Sequence, residues 1–192
     1  MTKRAFIIHG WDGYPEEGWL PWLKRELEAR GFEVTIPAMP ESAAPKIGTW
    51  IPHLAKLIGE PDEQTYLIGH SIGCQAILRY LETIAKDTKI GGAVLVAGWA
   101  DLTPAGMATP QEQEIGRPWI ETLIQWDIIR QRSRFFVAIF SDNDYFVPLD
   151  NSTLFKEKLG AETIVEHDKG HFSGSDGVTE LPSALEALLR HV

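Results

Sequence analysis

Gln64-Thr65-Tyr66-Leu67-Ile68-Gly69-His70-Ser71-Ile72-Gly73-Cys74-Gln75-Ala76-Ile77 is the stretch whose reading decides the fold. Its first half, Gln64 to Ile68, reads as a strand. Its second half opens a helical pattern over Ile72 to Ala85, with Ile72, Ala76, Ile77, Tyr80, Leu81 and Ile84 on one side. Between them lies Gly69-His70-Ser71-Ile72-Gly73, a G-x-S-x-G match. That pentapeptide gains meaning when a strand precedes it and a helix follows it. A sharp turn there lifts one side chain above the edge of a sheet, and glycines flank it because a Cβ would collide with the neighbouring strand or helix. A capping serine at the start of a helix is the plainer reading of Ser71.

The same alternation runs outward from this stretch. Ala5-Phe6-Ile7-Ile8, Phe32 to Ile36, Ala93 to Ala97, Phe135 to Phe140 and Thr163 to Glu166 read as five further strands. Helical spacing appears over Glu16 to Arg30, Trp50 to Ile58 (Pro52 in its first turn), Asn151 to Leu159 and Thr179 to His191. Strands alternating with helices predict an α/β class, three-layer α/β/α arrangement around a mostly parallel sheet. In such sheets the chemistry lies beyond the carboxyl ends of the strands. Asp101 to Gly116, with Pro104, Gly106, Pro110 and Gly116, breaks the alternation and reads as an irregular flap or small lid before a helix starting near Pro118.

Composition bounds the function classes. The 192 residues fit one domain, 1–192, since single domains run to roughly 100–200 residues. There are 27 acidic residues against 18 Lys plus Arg, for a net charge of −9, and such a chain repels phosphate backbones, which argues against nucleic acid as a partner. Cys74 is the only cysteine, so no disulfide can form within the chain and no thiolate cluster can hold a metal. The apolar run after Met1-Thr2-Lys3-Arg4 is too short for a signal-peptide core or a membrane span, so no membrane association and a cytoplasmic address are expected.

A serine hydroxyl needs a base to act as a nucleophile. In this architecture the chain order is Ser, then an acid, then His. Asp144 follows the fifth strand, just before Tyr145-Phe146-Val147-Pro148, a run able to turn the chain back and hold a carboxylate. Asp142 competes with it. His171 follows the sixth strand on a loop after Gly170, and His167 competes with it. The His167-x-x-x-His171 spacing suits a metal, but Gly170 interrupts it, so no metal is assigned. An oxyanion hole needs two donors. The backbone N–H of Ile72 is one candidate, and that of Trp11, in His9-Gly10-Trp11-Asp12-Gly13 after the first strand, is the other. Trp11 and Trp99 follow the first and fourth strands and are candidates for the wall of an apolar pocket. Cys74, one turn into the helix, reads as a buried structural thiol.

Taken together, Ile8-His9-Gly10, Ile68 through Gly73, Val94-Leu95-Val96, Arg117-Pro118-Trp119, Ser141 through Pro148 and Gly170-His171-Phe172 make the chain resemble the small α/β-hydrolases of the retinoblastoma-binding-protein-nine and YdeN type. The resemblance spans nearly the whole chain. It implies an α/β-hydrolase fold with no large cap domain, a Ser71–Asp144–His171 triad, no cofactor, and a small-molecule acyl substrate. The partner motif Leu-x-Cys-x-Glu is absent, because Cys74 is followed by Gln75 and Ala76, so no retinoblastoma-type partner is expected. The expected activity is hydrolysis of a small ester, thioester or amide through an acyl-enzyme on Ser71. The rival is a binding module that keeps the fold with little turnover, and acyl transfer to an acceptor other than water would use the same residues.

Overall fold

The computed structural model describes residues 2–192. Six strands, β1 (Lys3–Ile8), β2 (Phe32–Thr35), β3 (Thr65–His70), β4 (Gly92–Val96), β5 (Phe136–Ser141) and β6 (Glu162–Glu166), form one sheet in the order β2-β1-β3-β4-β5-β6, and every neighbouring pair is parallel. The central strands are buried on both faces, as the continuous apolar runs require. Successive residues feed opposite layers. Phe6, Ile8, Leu67 and Leu95 join one core with α2 (Ile47–Ile58), α3 (Ile72–Thr83), α4 (Pro110–Glu121), α5 (Trp126–Arg130) and α6 (Asp150–Leu159). Ala5, Ile7, Ile68 and Val96 join the other with α1 (Leu20–Glu28) and α7 (Pro182–Leu189). The three-layer reading is therefore correct, and the sheet is wholly parallel.

Several boundaries differ from the sequence reading. The helix expected from Glu16 begins only at Leu20: Gly18 adopts φ +51, which breaks the helix, and Pro21 sits in the first turn, where its missing N–H is harmless. Helix α2 starts at Ile47, so Pro52 lies inside it rather than in its first turn. The last helix is shorter than Thr179 to His191, opening on Pro182. Helix α3 is buried on all sides from Ile72 to Leu81, not on one face, because α2 and α5 cover its outer surface.

The largest correction is the supposed flap. Residues Pro104–Met107 form a 3-10 turn, and Pro110–Glu121 is a regular helix that runs through Pro118 instead of starting there. Its start is a full capping box. The Thr109 hydroxyl accepts from the Glu112 N–H at 3.2 Å while the Glu112 carboxylate accepts from the Thr109 N–H at 2.7 Å. Trp119, fully buried, donates its indole N–H to the Pro45 carbonyl at 3.0 Å, and Arg79 of α3 donates to the Trp119 and Thr122 carbonyls. The segment is thus pinned to the body of the fold.

The order β2-β1-β3 places a switch of direction between β1 and β3, where a crevice opens at the carboxyl ends. The start of α3 closes against the end of β1 there: a Cβ on Gly73 would strike the Ile8 carbonyl oxygen and lie 2.7 Å from that of His9. Gly73→Ala is expected to lose about 1–3 kcal/mol, as overpacked cores do, read as a Tm lowered by about 2–4 °C per kcal/mol in a thermal melt. Gly48→Ala, where a Cβ meets nothing within 4 Å, should leave Tm unchanged or raised.

Candidate active site

Ser71 is the single residue between β3 and α3, and it is held at φ 52, ψ −120. That conformation costs a non-glycine residue about 1–3 kcal/mol and persists only where the surroundings over-determine it. They do so here. The Ser71 N–H donates to the Val96 carbonyl at 2.9 Å, and the Ser71 carbonyl accepts from the Cys74 N–H at 2.9 Å. The side chain makes no capping bond to α3, so the hydroxyl is left facing the crevice. Gly10 lies against it: a Cβ there would stand 3.6 Å from the Ser71 Cβ. The backbone N–H groups of Ile72 and Trp11 have no acceptor among the described residues. The first opens a helix, whose free N–H groups and positive end favour developing negative charge.

His171 lines the same crevice and its Nδ1 is engaged by Asp144, at 2.9 Å from Oδ2 and 3.1 Å from Oδ1. The Asp144 side chain is only 2 % exposed, so the pairing is shielded from water. Its Oδ1 also accepts the Phe146 and Val147 N–H groups at 2.8 and 3.0 Å, which fixes the carboxylate within the turn that leads to Pro148. Asp142 lies elsewhere. It accepts from His167 at 2.6 Å, and the other His167 nitrogen meets Asp168 at 2.9 Å. This exposed trio does not include His171, so the two histidines share no ligand set. The Ser71 hydroxyl and His171 make no hydrogen bond in this conformation, a separation that apo enzymes commonly close only around a substrate.

The main chain of His171 is clamped at both ends. Its N–H donates to Asp176 Oδ2 at 3.0 Å, and its carbonyl accepts from His70 Nε2 at 2.7 Å. Since a carbonyl can only accept, His70 carries its proton on Nε2. Burial, reinforced by the charge of His171 with its ring 5.1 Å away, pushes the His70 pKa down to about 3, so this ring is a neutral strut. His9 is likewise structural: Nδ1–H donates to the Gly10 carbonyl at 2.9 Å and Nε2 accepts the Met39 N–H at 3.0 Å. Cys74 is fully buried, donates to the Val96 carbonyl, and burial pushes its thiol pKa up, away from a reactive thiolate.

The crevice is a cavity of about 790 Å3. The Trp11 side chain forms part of its wall, with its indole N–H tied to the Ala43 carbonyl at 3.1 Å. Trp99 contributes little surface, being 1 % exposed. Leu102, Ala105, Gly106 and Ile115 supply a further wall from the Asp101 to Trp119 segment, where pocket wall is expected; what sequence reading missed there is the helix, although Thr109-Pro110-Gln111-Glu112 carries the signature of a helix start. Asp176 was missed too. Its signal is Ser173-x-x-Asp176, a second capping box directly after His171.

His70 also predicts an acid-sensitive contribution to stability. Its folded pKa lies below the ordinary 6.5, so between 6.5 and about 3 the unfolded chain holds a proton that the folded chain excludes. Stability is therefore lost as pH falls through that window. Urea midpoints should drop more between about pH 7 and about pH 5 in the wild type than in His70→Gln, and equal drops would contradict the assignment.

Known proteins match the chain over nearly its whole length. YdeN of Bacillus subtilis is 31 % identical over 188 residues, covering 98 % of this chain and 95 % of the relative. The serine hydrolase RBBP9 of Rattus norvegicus is 27 % identical over 179 residues, covering 90 % and 89 %. The crystal structure of the B. subtilis ydeN product superposes with a TM-score of 0.90 at 30 % identity, over 99 % of this chain and 98 % of that one. The serine hydrolase family itself matches residues 5–190, and the chain belongs to that family of hydrolases.

Proposed function

We propose that this hydrolase cleaves small esters, thioesters or amides through an acyl-enzyme on Ser71. The observation that carries the reading is the buried Asp144–His171 pair opening onto the same crevice as a strained, otherwise unbonded Ser71 hydroxyl. His171 Nε2 takes the Ser71 proton as Oγ attacks the substrate carbonyl. The tetrahedral oxyanion is received by the N–H groups of Ile72 and Trp11, which need no reorganisation because no other group among the described residues uses them. The same proton passes from Nε2 to the leaving alcohol, thiol or amine as the carbonyl–heteroatom bond breaks. Water, deprotonated by His171, then attacks the acyl carbon, and as the bond to Ser71 Oγ breaks the imidazolium returns that proton to Oγ and the acid departs. Asp144 holds the imidazole with Nδ1 protonated and stabilises the imidazolium. Trp11 and, to a lesser extent, Trp99 line the substrate pocket.

The test is labelling with a fluorophosphonate probe together with turnover of p-nitrophenyl esters of increasing chain length. Wild type should label and Ser71→Ala should not. Asp144→Asn is expected to lower kcat on the order of 10⁴-fold by favouring the wrong imidazole tautomer. Asp142→Asn, which touches only the exposed His167 pair and the Asp168 N–H, should stay within about twofold of wild type. A folded wild type that neither labels nor turns over any ester overturns the reading in favour of a binding module. Equal losses in Asp142→Asn and Asp144→Asn overturn the choice of acid.

A further inference from the structure

The charge of the cavity wall is one-sided. Asp12, Glu17 and Glu112 line it, and no Lys or Arg does among the described residues. Glu112 is committed to the Thr109 capping box. Glu17 is not committed in this way. It is half-buried, and no Lys or Arg lies within ion-pair distance of it among the described residues. Its position follows from the late start of α1. The turn over Glu16 to Gly18 places the carboxylate over Gly13, where a Cβ would stand 2.8 Å from Glu17 Oε2, beside the Gly10 carbonyl.

Glu17 also lies on the His171 side of the crevice. A Cβ on Gly174, three residues after His171, would lie 3.9 Å from Glu17 Cγ, and the indole of Trp19 donates to the Phe172 carbonyl at 3.1 Å. Residues 17–19 are thus docked on the loop that carries the imidazole. Burial raises the Glu17 pKa, an effect opposed by the charge of His171, reinforced by that of Asp12 and opposed again by the nearby Tyr14 backbone N–H. An imidazole that hands its proton to the departing atom faces the leaving group, so a carboxylate on its side of the cavity faces the leaving group as well.

We propose that Glu17 selects substrates whose leaving group carries a cation: a quaternary ammonium alcohol, an amino-alcohol, or the thiol or amine equivalents. This rests on the acyl-enzyme reading above. Glu17 is a specificity-determining residue and takes no part in bond making. A cationic leaving group brings to the cavity the counter-charge that its own wall lacks, while an anionic one meets three carboxylates with no cation to receive it.

The experiment uses three thioacetates matched in size: acetylthiocholine, its neutral isostere S-(3,3-dimethylbutyl) thioacetate, and S-acetyl-3-mercaptopropionate, with thiol release as the readout. Wild type should favour the cationic over the neutral ester by about five- to tenfold in kcat/KM, the range for a partly exposed charge pair. Glu17→Gln should bring that ratio close to one, and Glu17→Lys should invert it while raising the anionic ester. A ratio is insensitive to the folded fraction, since both substrates meet the same molecules. Protection of Ser71 from fluorophosphonate by choline against 3,3-dimethylbutanol gives the same comparison without turnover. A wild-type ratio near one with no preferential protection, or a ratio unchanged in Glu17→Gln, overturns the selection while leaving the hydrolase reading intact. Loss of all labelling and turnover in wild type overturns the hydrolase reading, and the selection falls with it.

Discussion

The close approach of α3 to the end of β1 is the constraint on which the site depends. With no Cβ at Gly73, the first turn of α3 rests on the Ile8 and His9 carbonyls. A side chain there would push the helix away, and the turn at Ser71 would relax. As built, that turn is over-determined by bonds to Val96 and Cys74, so the strained φ of Ser71 is maintained by β4 and α3 together. One consequence is a hydroxyl displayed beside a free helix N-terminus rather than spent on capping it. The other is that Gly10, at the end of β1, is brought against Ser71, which places the Trp11 N–H on the same crevice.

The partner loop is fixed by polar bonds together with the burial of Phe172 in the core. His171 follows the edge strand β6, whose residues are only partly covered, and the loop gains its order from bonds to Asp144, Asp176 and His70. Each of these has a single role. Asp144 orients the ring, Asp176 holds the main-chain N–H, and His70 holds the carbonyl. His70 can do this only because burial keeps it neutral and therefore able to serve as a plain N–H donor. The two histidines next to each other in space thus have opposite duties, set by environment: one has a nitrogen open to the crevice, the other is enclosed against Trp19.

Much of this was legible in the residues. The strands declare themselves as short apolar or alternating runs, and Gly10, Gly69 and Gly170 sit at or just past the carboxyl ends of three of them, so the α/β layering and the positions of Ser71, Asp144 and His171 after three different strands could be read along the chain. What escaped were features whose cause lies in distant contacts. Proline and glycine between Asp101 and Gly116 suggested an irregular flap. Yet Gly116 is simply where Met107 and Trp11 press against α4, and Trp119 anchors that helix on Pro45 and Arg79. Glu16 to Arg30 suggested one helix, but its first residues turn aside at Gly18 and release Glu17 into the cavity.

Sequence alone determined the periodicity, the strand-turn-helix context of the serine and the order of the three side chains, because these depend on local backbone preference and on which faces must be buried. Only the tertiary structure decided which of two aspartates and two histidines meet, and what charge surrounds them. Asp142 and Asp144 are two residues apart on one loop, and His167 and His171 four apart on another. Small rotations of the chain there send one pair to solvent and the other to the crevice, and those rotations are fixed by hydrogen bonds from the Phe146 and Val147 N–H groups and from His70, and by one accepted by Asp176, that no local pattern encodes.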